Sequence, residues 1–185
     1  MNHLVVWQRI LPTTLEVNVQ AFLQHNPTFQ MSITVTPKNV LTNLRDILSG
    51  QPVLCEDIVR LVEMFCYLFE LEQVGLRLAT LSHAMCPIFH VDRVPCRLVT
   101  TYHGKATEWL PHETVNREKL GMVGKCEGTS GLYQRQGDIQ QLQCGDVALL
   151  KGELWQGNAN AGLVHRSPAL SAHEQRLLLT LNFIS

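Results

Sequence analysis

Apolar positions recur with helical spacing through the first part of the chain and alternate with period two through much of the rest. After Thr36-Pro37, the residues Val40, Leu41, Leu44, Ile47 and Leu48 fall on one helical face, and Ser49-Gly50 ends the run. Threonine is a good N-cap, proline suits the first helical position, and glycine suits the position past the last turn. A second helix is predicted from about Pro52 to Leu71, with Ile58, Leu61, Val62, Phe65, Leu68 and Phe69 as its apolar stripe. Glu56 and Asp57 lie near its start, where the helix dipole favours negative charge. The group Met64, Phe65, Tyr67 and Phe69 reads as packing against a sheet rather than as a cofactor box.

From Val74 the period changes. Val74, Leu76, Leu78 and Thr80 alternate with Gly75, Arg77, Ala79 and Leu81, as in a strand. Ile88 to Asp92 and Pro95 to Tyr102 form the next two predicted strands. Gly104 to Gly137 is rich in Gly, Glu and Thr and is expected to form loops with short strands, where substrate is commonly covered. Gly145-Asp146 turns into Val147 to Leu150, then Leu163-Val164-His165 and Arg176 to Phe183 follow. One domain over 1–185 is expected, mainly helical over 1–73 and strand-built over 74–185. This is a β-rich α+β class: an antiparallel sandwich or barrel with N-terminal helices packed on one sheet. The cupin-like jelly roll, or double-stranded β-helix, is one such fold.

Charged residues make up only 17% of the chain and its net charge is −1, with no basic block, so nucleic acid is disfavoured as a partner. A small-molecule or peptide substrate is expected instead. No stretch approaches the roughly 20 apolar residues that span a bilayer. The N-terminus lacks the pattern of a signal peptide, and the six cysteines form no Cys-x-x-Cys pair, so reduced thiols and a cytoplasmic location are expected.

The candidate chemistry lies in the second half. In an extended strand His90 and Asp92 point to one face. His165, 73 residues beyond Asp92, would complete a 2-His-1-carboxylate triad, which covers one face of an octahedral metal and leaves open positions suited to Fe(II) and O₂. Arg176 lies 11 residues beyond His165 and opens an apolar strand, Arg176 to Phe183, where a buried cation needs a partner. It would anchor an acidic cosubstrate beside the metal.

The order His-x-Asp, a long gap, His, then Arg about ten residues on resembles the Fe(II)/2-oxoglutarate-dependent dioxygenases. That resemblance implies a jelly roll, iron on His90, Asp92 and His165, and 2-oxoglutarate held by Arg176 with help from Thr180. The strings Cys86-Pro-Ile-Phe-His-Val-Asp-Arg-Val-Pro95, Thr107-Glu-Trp-Leu-Pro111 and His165-Arg-Ser-Pro168 resemble the bacterial domain of unknown function 1826 over nearly the whole chain. Two positions depart from well-known dioxygenase patterns. Asn182 stands where nucleic-acid demethylases of the superfamily tend to carry a second arginine, and Leu178 stands where some subfamilies have serine.

Around the triad, Tyr102, His103, Glu108 and Trp109 form a candidate substrate wall, or a plug of the barrel mouth. Arg166 faces away from His165 by alternation and suits a salt bridge, with substrate contact as the alternative. Cys86 and Cys96 flank the His-x-Asp segment and raise a separate zinc site as an alternative to buried thiols. His3, His25, His83, His112 and His173 show no ligand spacing. Ser130 lacks the setting of a nucleophile elbow, and no phosphate loop occurs. The leading reading is therefore a dioxygenase. A non-catalytic or regulatory zinc-binding protein on the same fold is the alternative, and an interaction module with an accidental triad is the third.

Overall fold

A computed structural model describes residues 2–121 and 131–184. The chain runs β1 (Leu4–Trp7), α1 (Thr13–His25), β2 (Gln30–Val35), α2 (Val40–Ile47), α3 (Pro52–Phe69), β3 (Val74–Leu81), β4 (Cys96–His103), β5 (Glu108–Leu110), β6 (Gln140–Gln141), β7 (Val147–Lys151), β8 (Val164–Arg166) and β9 (Arg176–Asn182). A six-stranded sheet has the order β1-β7-β4-β9-β3-β2, and a three-stranded sheet the order β6-β5-β8. Every strand pairing described is antiparallel.

Both helices expected from the sequence form. α3 keeps its predicted start, with Pro52 at the first helical position. α2 begins one turn later than the Thr36 cap implies. The Asn39 amide donates to Thr36 Oγ1 at 3.2 Å and the Thr36 amide to Asn39 Oδ1 at 2.8 Å, so the cap closes a separate turn ahead of the helix. The first 73 residues are less purely helical than their periodicity suggests: β1 and β2 form the two edges of the large sheet. β1 hides its strand signal because Val5 and Trp7 face outward. In β2, Met31, Ile33 and Val35 alternate over only six residues. The predicted strand over 88–92 is also shorter than expected, for its only ladder contact among the described residues is a bridge between His90 and His165.

Period-two alternation gives the large sheet two different faces. Leu76, Leu78, Leu98, Leu177, Leu179 and Leu181 pack against Val19, Phe22, Leu54, Ile58, Leu61 and Phe65 of the helices, all nearly inaccessible to water. Truncating one of these, such as Phe65, to alanine is expected to cost about 3–5 kcal/mol. Within that layer Asp57 on α3 accepts both Arg9 guanidinium nitrogens, at 2.7 and 2.9 Å, and the Tyr102 hydroxyl at 2.7 Å. Burial and the adjacent carboxylate push the Tyr102 phenol well above its ordinary pKa. The opposite face carries Leu81, Val99, Ala148, Leu150 and Leu178 and packs with Leu163 and Trp109 from the side of the small sheet. On this face, between the sheets, lie the groups with reactive potential. No described helix is long and apolar enough to cross a membrane.

Candidate metal centre

The two histidines are brought together by the backbone. The His90 amide donates to His165 O at 3.0 Å and the His165 amide to His90 O at 2.9 Å, a reciprocal pair joining the 88–95 segment to β8. Each imidazole then bonds a carbonyl two residues upstream: His90 Nδ1 to Ile88 O at 2.9 Å, His165 Nδ1 to Leu163 O at 3.1 Å. A carbonyl only accepts, so Nδ1 carries a proton in both rings, and in the neutral tautomer Nε2 keeps its lone pair, the arrangement usual in metal-binding histidines. Burial lowers the His165 pKa to about 4 against the opposing pull of Asp92, so its ring is neutral at physiological pH.

Asp92 turns between them. Its Oδ2 lies 3.4 Å from His165 Nε2, and its Oδ1 lies 4.0 Å from His90 Nε2. Ligand atoms of the three residues fall within 4.8 Å of one another, and this is the one cluster of three or more His, Cys, Asp or Glu ligands among the described residues. Oδ1 is also held by Arg97 Nη1 at 3.0 Å, whereas buried Oδ2 has no hydrogen-bond donor. A buried carboxylate oxygen without a donor is costly, and a divalent cation would satisfy it along with the two free imidazole lone pairs. The donor set, one oxygen and two nitrogens, fits iron and zinc alike. The loop bearing Asp92 is fixed by residues after β7: Glu153 N donates to Asp92 O at 3.0 Å and Leu154 N to Val94 O at 3.3 Å. Gly152 permits this approach, because a Cβ there would collide with the Val94 carbonyl.

A cavity holding about 370 Å³ of empty space, its mouth included, runs from His90 and His165 to Arg176 and Thr180. Arg176 is 1% exposed and bonds only hydroxyls: Nη2 to Thr107 Oγ1 at 2.6 Å and to Thr101 Oγ1 at 3.1 Å. No carboxylate among the described residues pairs with it. Burial lowers its pKa to about 10, which leaves it a cation. Gly104, at φ +82°, lets the turn after β4 pass close to Gln175 and so sets the start of β9.

The remaining predicted residues divide. Thr180 lines the cavity on the same strand face as Arg176. Arg166 lines it too, with Nε 2.6 Å from Glu108 Oε2 across β5 and β8 and its guanidinium 4.3 Å from the Phe89 ring centre. Glu108 therefore meets the site through Arg166, while Trp109 sits opposite His165 in the ladder and packs into the inter-sheet core. Tyr102 is not in the site: it faces the helices and bonds Asp57. Cys96 lies on that same far face, its thiol pushed up to about 12 by burial, while Cys86 lines the cavity, so the two form no zinc site. His3 and His112 stack at 4.4 Å. Ser130 and Cys126 fall outside the described residues. The sequence reading missed Arg97, although the signal that marks Arg176, a lone cation in an apolar strand, is present there too.

The comparisons agree with this architecture. Among solved structures, the rice dioxygenase for auxin oxidation superposes with a TM-score of 0.56 at 10% identity, over 99% of this chain and 74% of that one. The viral collagen prolyl hydroxylase of Paramecium bursaria Chlorella virus-1, in a 2-oxoglutarate complex, gives 0.52 at 8% identity, over 100% and 97%. At such identities the likeness is one of fold. No curated protein matches the sequence. The profile of the proteins of unknown function DUF1826 matches residues 2–182, and the chain belongs to that family.

Proposed function

We propose that this protein is an Fe(II)- and 2-oxoglutarate-dependent dioxygenase on a double-stranded β-helix, hydroxylating a small molecule or peptide. The observation that carries this reading is the pairing, in one cavity, of the His90–Asp92–His165 triad with a buried arginine that lacks a carboxylate. Both halves are incomplete alone, and a divalent metal with a dicarboxylate cosubstrate completes both. Iron and 2-oxoglutarate together would supply a two-electron oxidation by O₂, turning a substrate C–H into C–OH while 2-oxoglutarate leaves as succinate and CO₂.

The chain's own contribution is positioning. His90, His165 and Asp92 Oδ2 would bind the metal on one side and leave the cavity side for ligands. Arg176, oriented by Thr101 and Thr107, would take the far carboxylate of the cosubstrate, with Thr180 beside it. Arg166, held by Glu108, and Trp109 would flank the substrate. The test is anaerobic titration of apo-protein with Fe(II), then 2-oxoglutarate, following the visible charge-transfer band. The band is expected only after both additions, and is expected to vanish in His165→Ala and weaken strongly in Arg176→Ala. One tightly held zinc and no band with iron would replace this reading with a zinc-binding protein on the same fold.

A further inference from the structure

We infer that a second cavity beside the metal centre takes the carboxylate of the substrate, with Arg77 as its anchor and a short apolar body of the substrate reaching toward the metal. This substrate class, a small organic acid, rests on the dioxygenase reading above.

The second cavity, a recess open to solvent, shares Met85, Arg97, Leu178 and Thr180 with the metal cavity, so the two are lobes of one space. Its own additions are Arg77, Ala79 and Asn182. Strand register explains why these polar groups converge. Arg77 on β3 lies opposite Thr180 on β9, and Arg97 on β4 lies opposite Asn182 on β9, all on the inner face of the sheet. Gly75 occupies the remaining position opposite Asn182 and adds no side chain there.

Charge decides the kind of ligand. Arg97 is engaged with Asp92 and Asn182, and Arg166 with Glu108. Arg77 makes no hydrogen bond or ion pair with any described residue, and Arg176 meets only hydroxyls. A divalent metal would outweigh the single charge of Asp92. Once 2-oxoglutarate and Asp92 together have balanced Arg176 and the metal, Arg77 and Arg97 are the cations of the lining left without a counter-charge. Planar guanidinium forks match a carboxylate. Ala79, Met85 and Leu178 give the lobe an apolar wall for the rest of the molecule. Beyond Arg77 lies the edge of the large sheet, where Gln30, Ser32 and Thr34 of β2 are exposed on the same face.

The probe is 3-phenylpropionate, titrated calorimetrically under nitrogen into protein holding Fe(II) and 2-oxoglutarate, with 3-phenylpropionamide as the neutral control. We expect the acid to bind about tenfold more tightly than the amide, in line with one charge-assisted hydrogen bond. Arg77→Gln is expected to remove that preference, and Arg77→Lys to restore part of it, while 2-oxoglutarate affinity stays within about twofold in both. Retained 2-oxoglutarate binding also shows that the variants fold. Equal affinity for acid and amide, no binding of the acid, or a preference that survives Arg77→Gln would overturn the inference. So would acid binding that depends on Arg176 instead, since the probe would then occupy the cosubstrate's place. Failure to bind 2-oxoglutarate at all would sink the dioxygenase reading; the same titration into metal-free protein would then still decide the role of Arg77.

Discussion

On the helix side of the large sheet, Asp57 receives two guanidinium hydrogen bonds and one phenol, and Arg9 also reaches Gly145 O at 2.7 Å. On the other side of the same strands, Asp92 has one arginine contact and a bare Oδ2, while Arg176 has two threonines and no anion. Both sites bury charge, but only the first is complete. A completed network stabilises the fold because its members satisfy one another, and removing one member strands the rest. On the function proposed above, the metal and the cosubstrate would complete the second network.

The largest expected effect lies on the completed side. Asp57→Ala would leave Arg9 and Tyr102 buried without their acceptor and lower unfolding free energy by about 3–5 kcal/mol in denaturant titration. If that variant is nearly as stable as the parent, the network is not the structural element described. Next comes pH. The unfolded chain binds a proton at His165 near pH 6.5, whereas the folded apo-protein refuses it until about pH 4. The unfolded state therefore holds more protons across that window, and stability falls as pH drops through it, by up to about 3 kcal/mol. His165→Asn should flatten this part of the profile.

Smaller effects probe the open side. Arg97→Gln should weaken metal binding about 10–100-fold, as loss of a group orienting a ligand does, and lower apo-protein stability by about 1–3 kcal/mol because buried Asp92 loses its arginine. Unchanged metal affinity would remove Arg97 from the positioning of Asp92. Smallest of all, Arg176→Met should leave apo-protein stability within about 1 kcal/mol or raise it, because a buried cation without an anion contributes little. The same substitution should abolish stabilisation by 2-oxoglutarate in a thermal shift assay. A large loss of stability in Arg176→Met would place it with Arg9 as a structural cation.

Legibility in the sequence followed the length and regularity of each signal. α3 and β3 were readable because Ile58 to Phe65 and Val74 to Leu81 sustain one period against one buried surface. β1 was not, since four residues with Val5 and Trp7 facing outward carry no period to detect. The triad could be proposed from His-x-Asp and a distant His because side-chain alternation acts locally. Tyr102 was misplaced for a related reason. Its strand parity puts it with Leu98 and Thr100, away from Arg97 and Thr101, but parity does not say which face is the site until one residue of the strand is anchored there. Arg97 supplies that anchor through Asp92, a contact no spacing rule reveals.

The reciprocal backbone pair between His90 and His165 has a further consequence. These two amides join residues more than seventy positions apart, beside the bond from Ser167 N to Cys86 O, and both histidine side chains stand directly at the closure. An ion bound there would work as a removable crosslink. By the loop-closure relation for covalent crosslinks, tying such a span is worth about 4–5 kcal/mol at most. Chelation would then loosen the 88–95 segment from β8 before the helix-packed core is disturbed, and the His90 and His165 amides would be among the first to exchange with solvent.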